Sequence, residues 1–252
     1  MSTLAVLQAR MSSTRFPGKV MRPLLGEPMI GRQIERIRRA QFIDELVIAT
    51  STDPADDVLV EYAATLGVPV VRGSLEDVLA RFAAVIEQFQ PDTVVRLTAD
   101  CPLTSPVVID RVIEDFLSSG VDYCSNTLQA TYPDGLDVEV VRPSALLAVA
   151  SHSDDAAEHE HVTLGVYRRA DQFTLSNVRY EQDLSHLRWT VDTPEDFAFV
   201  EAVYAALYPA NPNFDLNEIL QLLEERPALV RTSADEVRNA ALIGLDTGAM
   251  HA

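Results

Sequence analysis

Lysine is almost missing from this chain. The sequence holds one, Lys19, and every other basic side chain is arginine or histidine, so the protein uses an ammonium group at a single chosen place. Cysteine is scarce as well. Cys101 and Cys124 are too few for a disulfide framework and lack a Cys-x-x-Cys spacing for zinc, which leaves two reduced thiols, Cys124 reading as core. No apolar run approaches the roughly 20 residues that span a bilayer, and the opening MSTLAVLQAR offers neither a basic leader nor a small-residue cleavage site, so a cytoplasmic protein is expected. Positive charge is in deficit overall. A formal net charge of −18 repels polyanions and argues against nucleic acid or an anionic membrane as partner, so a phosphate site has to be a local basic island.

What is present is a series of valine-rich runs alternating with helical periodicity. This is the sequence form of an α/β fold whose mostly parallel central sheet is covered by helices on both faces. At 252 residues and 47% hydrophobic content, the chain can bury a full core as a single domain over 1–231. Leu4 to Gln8, Leu46 to Thr50, Val68 to Val71, Val94 to Thr98 and Trp189 to Val191 read as strands. Helices are expected near Met29, from an Asp53–Pro54 start to a Gly67 stop, after a Ser74–Asp77 cap, and from Ser105–Pro106, Thr193–Pro194 and Asp215. From Tyr123 to about Val178 the pattern turns to alternation, clearest in Leu136, Val138 and Val140, so residues 121–180 are expected to form a small antiparallel subregion over the site. The tail over 232–252 lacks periodicity and reads as loosely held.

The exit of the first strand is the most informative stretch. Gln8 and Ala9 lead into Arg10, Ser12, Ser13, Thr14, Arg15, Gly18 and Lys19, at the carboxyl edge where open α/β sheets bind ligands. Backbone amides and hydroxyls there can cradle phosphate oxygens, with arginine as a fork and lysine as a compact charge. Neither the Walker spacing nor the Gly-x-Gly-x-x-Gly fingerprint is present. A solvated basic loop is the bland alternative. Two acids stand just beyond other strands: Asp100 in RLTADCP and Asp192 in RWTVDTP. Magnesium takes one or two carboxylates plus waters and substrate phosphates, so this pair suits it. Helix capping is the bland alternative, for which Ser105 and Thr193 are better placed.

With these segments in hand, QARMSSTRFPGKV, ATSTDPADD, VRGSLEDVLARF, VVRLTADCPL, YPDGLDVEVV, EHEHVT and LRWTVDTPEDF, in this order, resemble the spore coat polysaccharide biosynthesis protein F family. That family is a branch of the cytidylyltransferases, related to the CMP-sialic acid and CMP-KDO synthetases, and the resemblance covers roughly Leu4 to Tyr208. It implies a Rossmann-like nucleotide-diphospho-sugar transferase fold and magnesium-dependent transfer of CMP from CTP to a small acidic sugar-like acceptor. It also implies that Arg10, Ser13, Arg15 and Lys19 hold the triphosphate, Asp100 and Asp192 the metal, and Arg72, Gly73, Ser74, Arg96 and Thr98 the base and ribose. Catalysis falls to Arg15, Lys19, Asp100 and Asp192. A homodimer is left open.

The acceptor pocket is expected from the middle region. Asp137 and Glu139 share one face of the alternating stretch and can hold sugar hydroxyls or a second magnesium, or they are an ordinary solvated face. His159-Glu160-His161 lacks the His-Glu-x-x-His spacing of a zinc helix, so Glu160 and His161 are assigned polar roles beside the acceptor, and Arg168 and Arg169 are candidates for an acceptor carboxylate or phosphate, with solvent exposure the commoner fate of such a pair. Two competing functions are weighed against nucleotidyl transfer. A nucleotide-sugar-dependent glycosyltransferase usually carries an Asp-x-Asp pair, whereas Asp100-Cys101-Pro102 offers one acid. A catalytically silent nucleotide-binding protein would not need Lys19, Asp100 and Asp192 together.

Overall fold

The structure is a computed structural model that describes residues 2–232. Its strands are β1 (Thr3–Gln8), β2 (Pro23–Leu24), β3 (Glu27–Pro28), β4 (Glu45–Ser51), β5 (Val70–Gly73), β6 (Thr93–Thr98), β7 (Tyr123–Ser125), β8 (Glu139–Val141) and β9 (Leu175–Asn177). Its helices are α1 (Met29–Ile37), α2 (Asp57–Thr65), α3 (Val78–Phe89), α4 (Pro106–Ser119), α5 (Pro143–His152), α6 (Ala156–His161), α7 (Leu164–Tyr167), α8 (Pro194–Leu207) and α9 (Leu216–Glu225).

Seven strands form one sheet in the order β5-β4-β1-β6-β8-β7-β9. The first four of these pair in parallel, β8 runs antiparallel to both its neighbours, and β9 returns to parallel beside β7. The antiparallel pairing is therefore spliced into the main sheet, and the only pair standing apart among the described residues is the β2–β3 hairpin. The inner parallel strands β1 and β4 are buried on both sides, as helices on both faces require, while the edge strand β5 is mostly half-buried. In β1, Ala5 and Leu7 enter the core shared with α1, α4, α8 and α9, while Leu4 and Val6 enter the core under α3, α5 and α7.

Helix starts fall where the local chemistry sets them. Asp77, Ser105, Thr193 and Asp215 accept hydrogen bonds from first-turn amides of α3, α4, α8 and α9, satisfying donors that a helix end leaves open. Asp53 caps a single 3₁₀ turn that leads into α2, where Leu59 is buried together with Ala63 and Tyr62 stays half-buried.

Two strand expectations are corrected. Trp189 to Val191 joins no ladder, because its amides find acceptors on different segments: Trp189 N donates to Asp134 O and Val191 N to Asp100 O. Leu136 and Val138 are buried like Val140, yet only Glu139–Val141 is strand. Upstream of it, the Asn126 side chain replaces a strand partner, donating to Leu136 O at 2.8 Å and accepting from Val138 N at 2.9 Å. Of the expected tail, Thr232 bridges to Leu187 and the remainder lies outside the described residues.

Candidate active site

The site lies where β1, β4 and β6 end. The loop from Ala9 to Lys19 crosses this edge, and buried anchors hold it. Ala9 N donates to Ala49 O at 3.1 Å, and Met11 O accepts from Ser13 N and Gly18 N, both at 2.9 Å. Gly18 turns the chain at a φ of 70°, which glycine adopts without steric penalty. Phe16 packs edge-on against Phe197 at 6.0 Å, with Arg22 over its ring.

Asp56 fixes the loop from below. Its carboxylate accepts from Met11 N, Thr50 Oγ1, Ser51 N and Ser51 Oγ and is buried, at 1% exposure. Burial works against its charge, but the donors from Ser51, Met11 and Thr50 prevail and hold its pKa below the ordinary carboxylate value. Sequence reasoning missed this residue. ATSTDPADD contains three hydroxyls and three acids of equal local appearance, and nothing in the segment shows that Asp56 reaches back 45 positions.

This anchoring delivers Lys19 between the two expected aspartates. Lys19 Nζ donates to Val191 O at 2.6 Å, to Asp192 Oδ1 at 3.0 Å and to Asp100 Oδ2 at 3.4 Å, and the residue is 8% exposed. Burial opposes the ammonium charge, yet Asp100 and Asp192 raise its pKa above the ordinary lysine value. Asp100 shifts the other way: burial disfavours its charge, and Lys19 overcomes this to hold its pKa down. Asp192 Oδ2 accepts from Arg188 Nη2 at 2.8 Å and pairs with Arg15 Nη2 at 3.1 Å. The structure therefore joins Arg15, Lys19, Asp100 and Asp192.

Arg188 is a second residue that sequence reasoning passed over. It is 2% exposed and donates to Asp134, Asp192 and Asp196. Burial opposes its charge, and these carboxylates more than compensate. The Asp134-Gly135 turn can reach it because Gly135, at a φ of 110°, has no Cβ. One built there would lie 2.6 Å from Thr190 N. The turn thus supports the Arg188–Asp192 segment.

The remaining candidates are dispersed around this centre. Gln8 Oε1 accepts from Arg96 Nη2 at 3.2 Å, and Arg96 Nη1 pairs with Glu139. Glu139 also accepts from Tyr123 Oη at 2.7 Å and from Thr163 Oγ1. Thr98 Oγ1 contacts Cys101 Sγ at 3.5 Å. The guanidinium of Arg72 binds Ser51 O, Asp53 O and Asp57, tying β5 to the start of α2. Gly73 lies over Arg81, where a Cβ would come within 2.7 Å of Cγ, and Ser74 accepts from Asp77 N. Arg10 and Glu160 are exposed, and Asp137 is half-buried.

His161 ends α6 half-buried, its pKa lowered first by burial, with Arg96 adding to the effect. Val162 follows at φ 52° and ψ −69°, a strained conformation for a β-branched residue, closed by Thr163 N donating to His161 O at 2.6 Å. This tight turn directs Thr163 to Glu139. Arg168 and Arg169 both bind Glu158.

For magnesium, the donor set is a pair of hard carboxylates drawn to one cation, which fits an ion that completes its shell with water and phosphate. No cluster of three or more His, Cys, Asp or Glu side chains fit to enclose a metal occurs among the described residues.

Known proteins resemble this chain. A family profile described as cytidylyltransferase matches residues 4–233. The spore coat polysaccharide biosynthesis protein SpsF of Bacillus subtilis is 35% identical over 235 residues, which is 89% of this chain and 95% of that protein. The 3-deoxy-manno-octulosonate cytidylyltransferase of Geobacter metallireducens is 32% identical over 115 residues, 45% of this chain and 44% of that enzyme. Among solved structures, a cytidylyltransferase from Leptospira borgpetersenii superposes with a TM-score of 0.87 at 29% identity, covering 91% of this chain and 97% of its own. CMP:2-keto-3-deoxy-manno-octonic acid synthetase complexed with CTP superposes at 0.64 and 17% identity, over 81% and 99% of the two chains, a likeness of fold.

Proposed function

This chain belongs to the cytidylyltransferase family, and from that premise we propose that it transfers CMP from CTP to a small acidic sugar-like acceptor, releasing pyrophosphate, in the making of a surface polysaccharide. The observation that carries the reading is the convergence of Arg15, Lys19, Asp100 and Asp192 at the carboxyl edge of the parallel strands.

Nucleotidyl transfer asks little covalent chemistry of a protein. Positioning and charge stabilisation account for most of it. In this reading the triphosphate lies along the Arg10–Lys19 loop, where Arg15 offers a fork and Lys19 a point charge to the leaving pyrophosphate. An acceptor oxygen then attacks the α-phosphorus in line. Asp100 and Asp192 would hold magnesium, which when bound neutralises phosphate charge and orients the oxygens. Gln8, Ala9, Ser13, Arg72, Gly73, Ser74, Arg96 and Thr98 surround the rest of the nucleotide. The pyrimidine preference is supported by the tight passage of Gly73 over Arg81, which narrows the base side of the site.

Asp137, Glu139, Glu160 and His161 border the acceptor side. Within this group the carboxylate of Glu139 is engaged by Arg96, Tyr123 and Thr163, so its part is to orient Arg96, while a neutral His161 meets acceptor hydroxyls.

The test is a matrix of the four ribonucleoside triphosphates against sugar acids, amino sugars and phosphonates, read by pyrophosphate release. Turnover with CTP and a sugar acid is expected. Equal use of CTP and ATP with any productive acceptor would overturn the cytidylyl assignment, and binding without release across the matrix would mark a silent nucleotide-binding protein.

A further inference from the structure

The space between Asp100 and Asp192 is contested. Lys19 Nζ has an acceptor for each of its three protons, in Val191 O, Asp192 Oδ1 and Asp100 Oδ2, so the ammonium is bound as a cation is bound by a small cage of oxygens. The two carboxylates come from the exit of β6 and the stretch before α8. This ammonium is the cation they share. A divalent ion held by the same oxygens would crowd the ammonium, and like charges about 4 Å apart repel by several times thermal energy even at the effective dielectric of a protein site. Asp192 Oδ2 stays with Arg188 and Arg15, so the contest concerns the Oδ1 side.

We propose that Lys19 and a divalent metal exclude one another at the Asp100–Asp192 pair, and that the triphosphate admits the metal by drawing the ammonium onto its own oxygens. This rests on the reading above, in which the pair binds metal and the loop binds triphosphate. It also accounts for the choice of the chain's single lysine here. A compact charge on a flexible four-carbon stem can exchange carboxylate for phosphate by rotating its side chain, whereas a planar guanidinium would stay forked to a carboxylate. The consequence is a reciprocal coupling: nucleotide tightens metal binding and metal tightens nucleotide binding, through one side chain that both displace.

The experiment measures Mn²⁺ binding to the nucleotide-free protein by electron paramagnetic resonance of the unbound ion. Lys19→Met is expected to bind Mn²⁺ more tightly than the wild type, within the roughly 5- to 150-fold span of such couplings, although it turns over poorly. Lys19→Arg, which keeps the competing charge, is expected to stay at the wild-type affinity, and adding Asp192→Asn to Lys19→Met should abolish the gain. Thermal melting checks that each variant is folded, and Lys19→Gln carries the same expectation should Lys19→Met not fold. Lys19→Met and Lys19→Gln binding Mn²⁺ no better than wild type would overturn the proposal. The underlying reading is tested separately with Mn²⁺–CTP. If Asp100→Asn and Asp192→Asn weaken binding of that complex while Lys19→Met gains nothing, the exclusion alone is wrong. If they leave it unchanged, the metal assignment falls and the exclusion with it.

Discussion

At the scale of single residues, Asp100 and Asp192 differ in what surrounds them. Asp192 is held by Lys19, Arg15 and Arg188, and Asp100 by Lys19. Asp100→Asn and Asp192→Asn each remove a charge with little change of volume, so roughly 100-fold or more of magnesium-dependent turnover should be lost, as for other preorganised electrostatic groups. Initial rates beside a circular-dichroism spectrum check this, and near-normal rates in both variants would sink the metal assignment. Arg188→Leu tests a different property. It leaves Asp134, Asp192 and Asp196 around a buried space without their shared cation, and breaking such a pair costs about 3–5 kcal/mol, which urea denaturation would detect. Lys19 stands out in the sequence as the single lysine, and Asp100 and Asp192 as acids that each follow an apolar run, features visible without knowing the fold. Asp56 and Arg188 were not legible, since beside their local partners each holds a distant segment, Met11 at 45 and Asp134 at 54 positions away, and the sequence carries no mark of that proximity.

At the scale of elements, the sequence places those whose signal is local. β1, β4 and β6 follow from their apolar runs, and α4, α8 and α9 from a capping residue ahead of an apolar stripe. What resisted reading is the stretch from Leu136 to Val141 and from Trp189 to Val191. In both, buried alternating residues satisfy their backbone through a side chain or through scattered carbonyls, and periodicity reports burial without reporting who supplies the hydrogen bonds. One contact between elements is testable by pH. His159 Nδ1 lies 2.8 Å from Asp77 Oδ1 and its other ring nitrogen meets Ser153 O, tying α6 to the N-terminus of α3. The hydrogen bond to Ser153, then Asp77, raises its pKa. A raised folded-state pKa gives stability that is full below the ordinary histidine value and fades as pH rises through the higher folded value. The melting-temperature difference between wild type and His159→Gln should therefore shrink from mildly acidic to mildly alkaline pH. A difference that is constant or grows would refute the tether.

At the scale of the whole molecule, a net charge of −18 surrounds the site proposed to take a triphosphate. The arginines and lysine there are matched by aspartates close by, so the distant field that an approaching triphosphate would meet is repulsive. Between about 10 mM and about 150 mM salt the Debye length contracts from about 30 Å to about 8 Å, which removes that distant repulsion and spares the contacts. Stopped-flow association of CTP should accordingly quicken over this range; a slowing would mean that the local basic island dominates the approach. The burial of the single lysine has a consequence for proteolysis as well. A protease that cuts only after lysine has one bond to find in this chain, between Lys19 and Val20, and both residues are buried. Cleavage into a 19-residue piece and the remainder thus requires the loop to open, and its rate becomes a one-site clock for that opening, slowed by whatever ligand holds the loop closed.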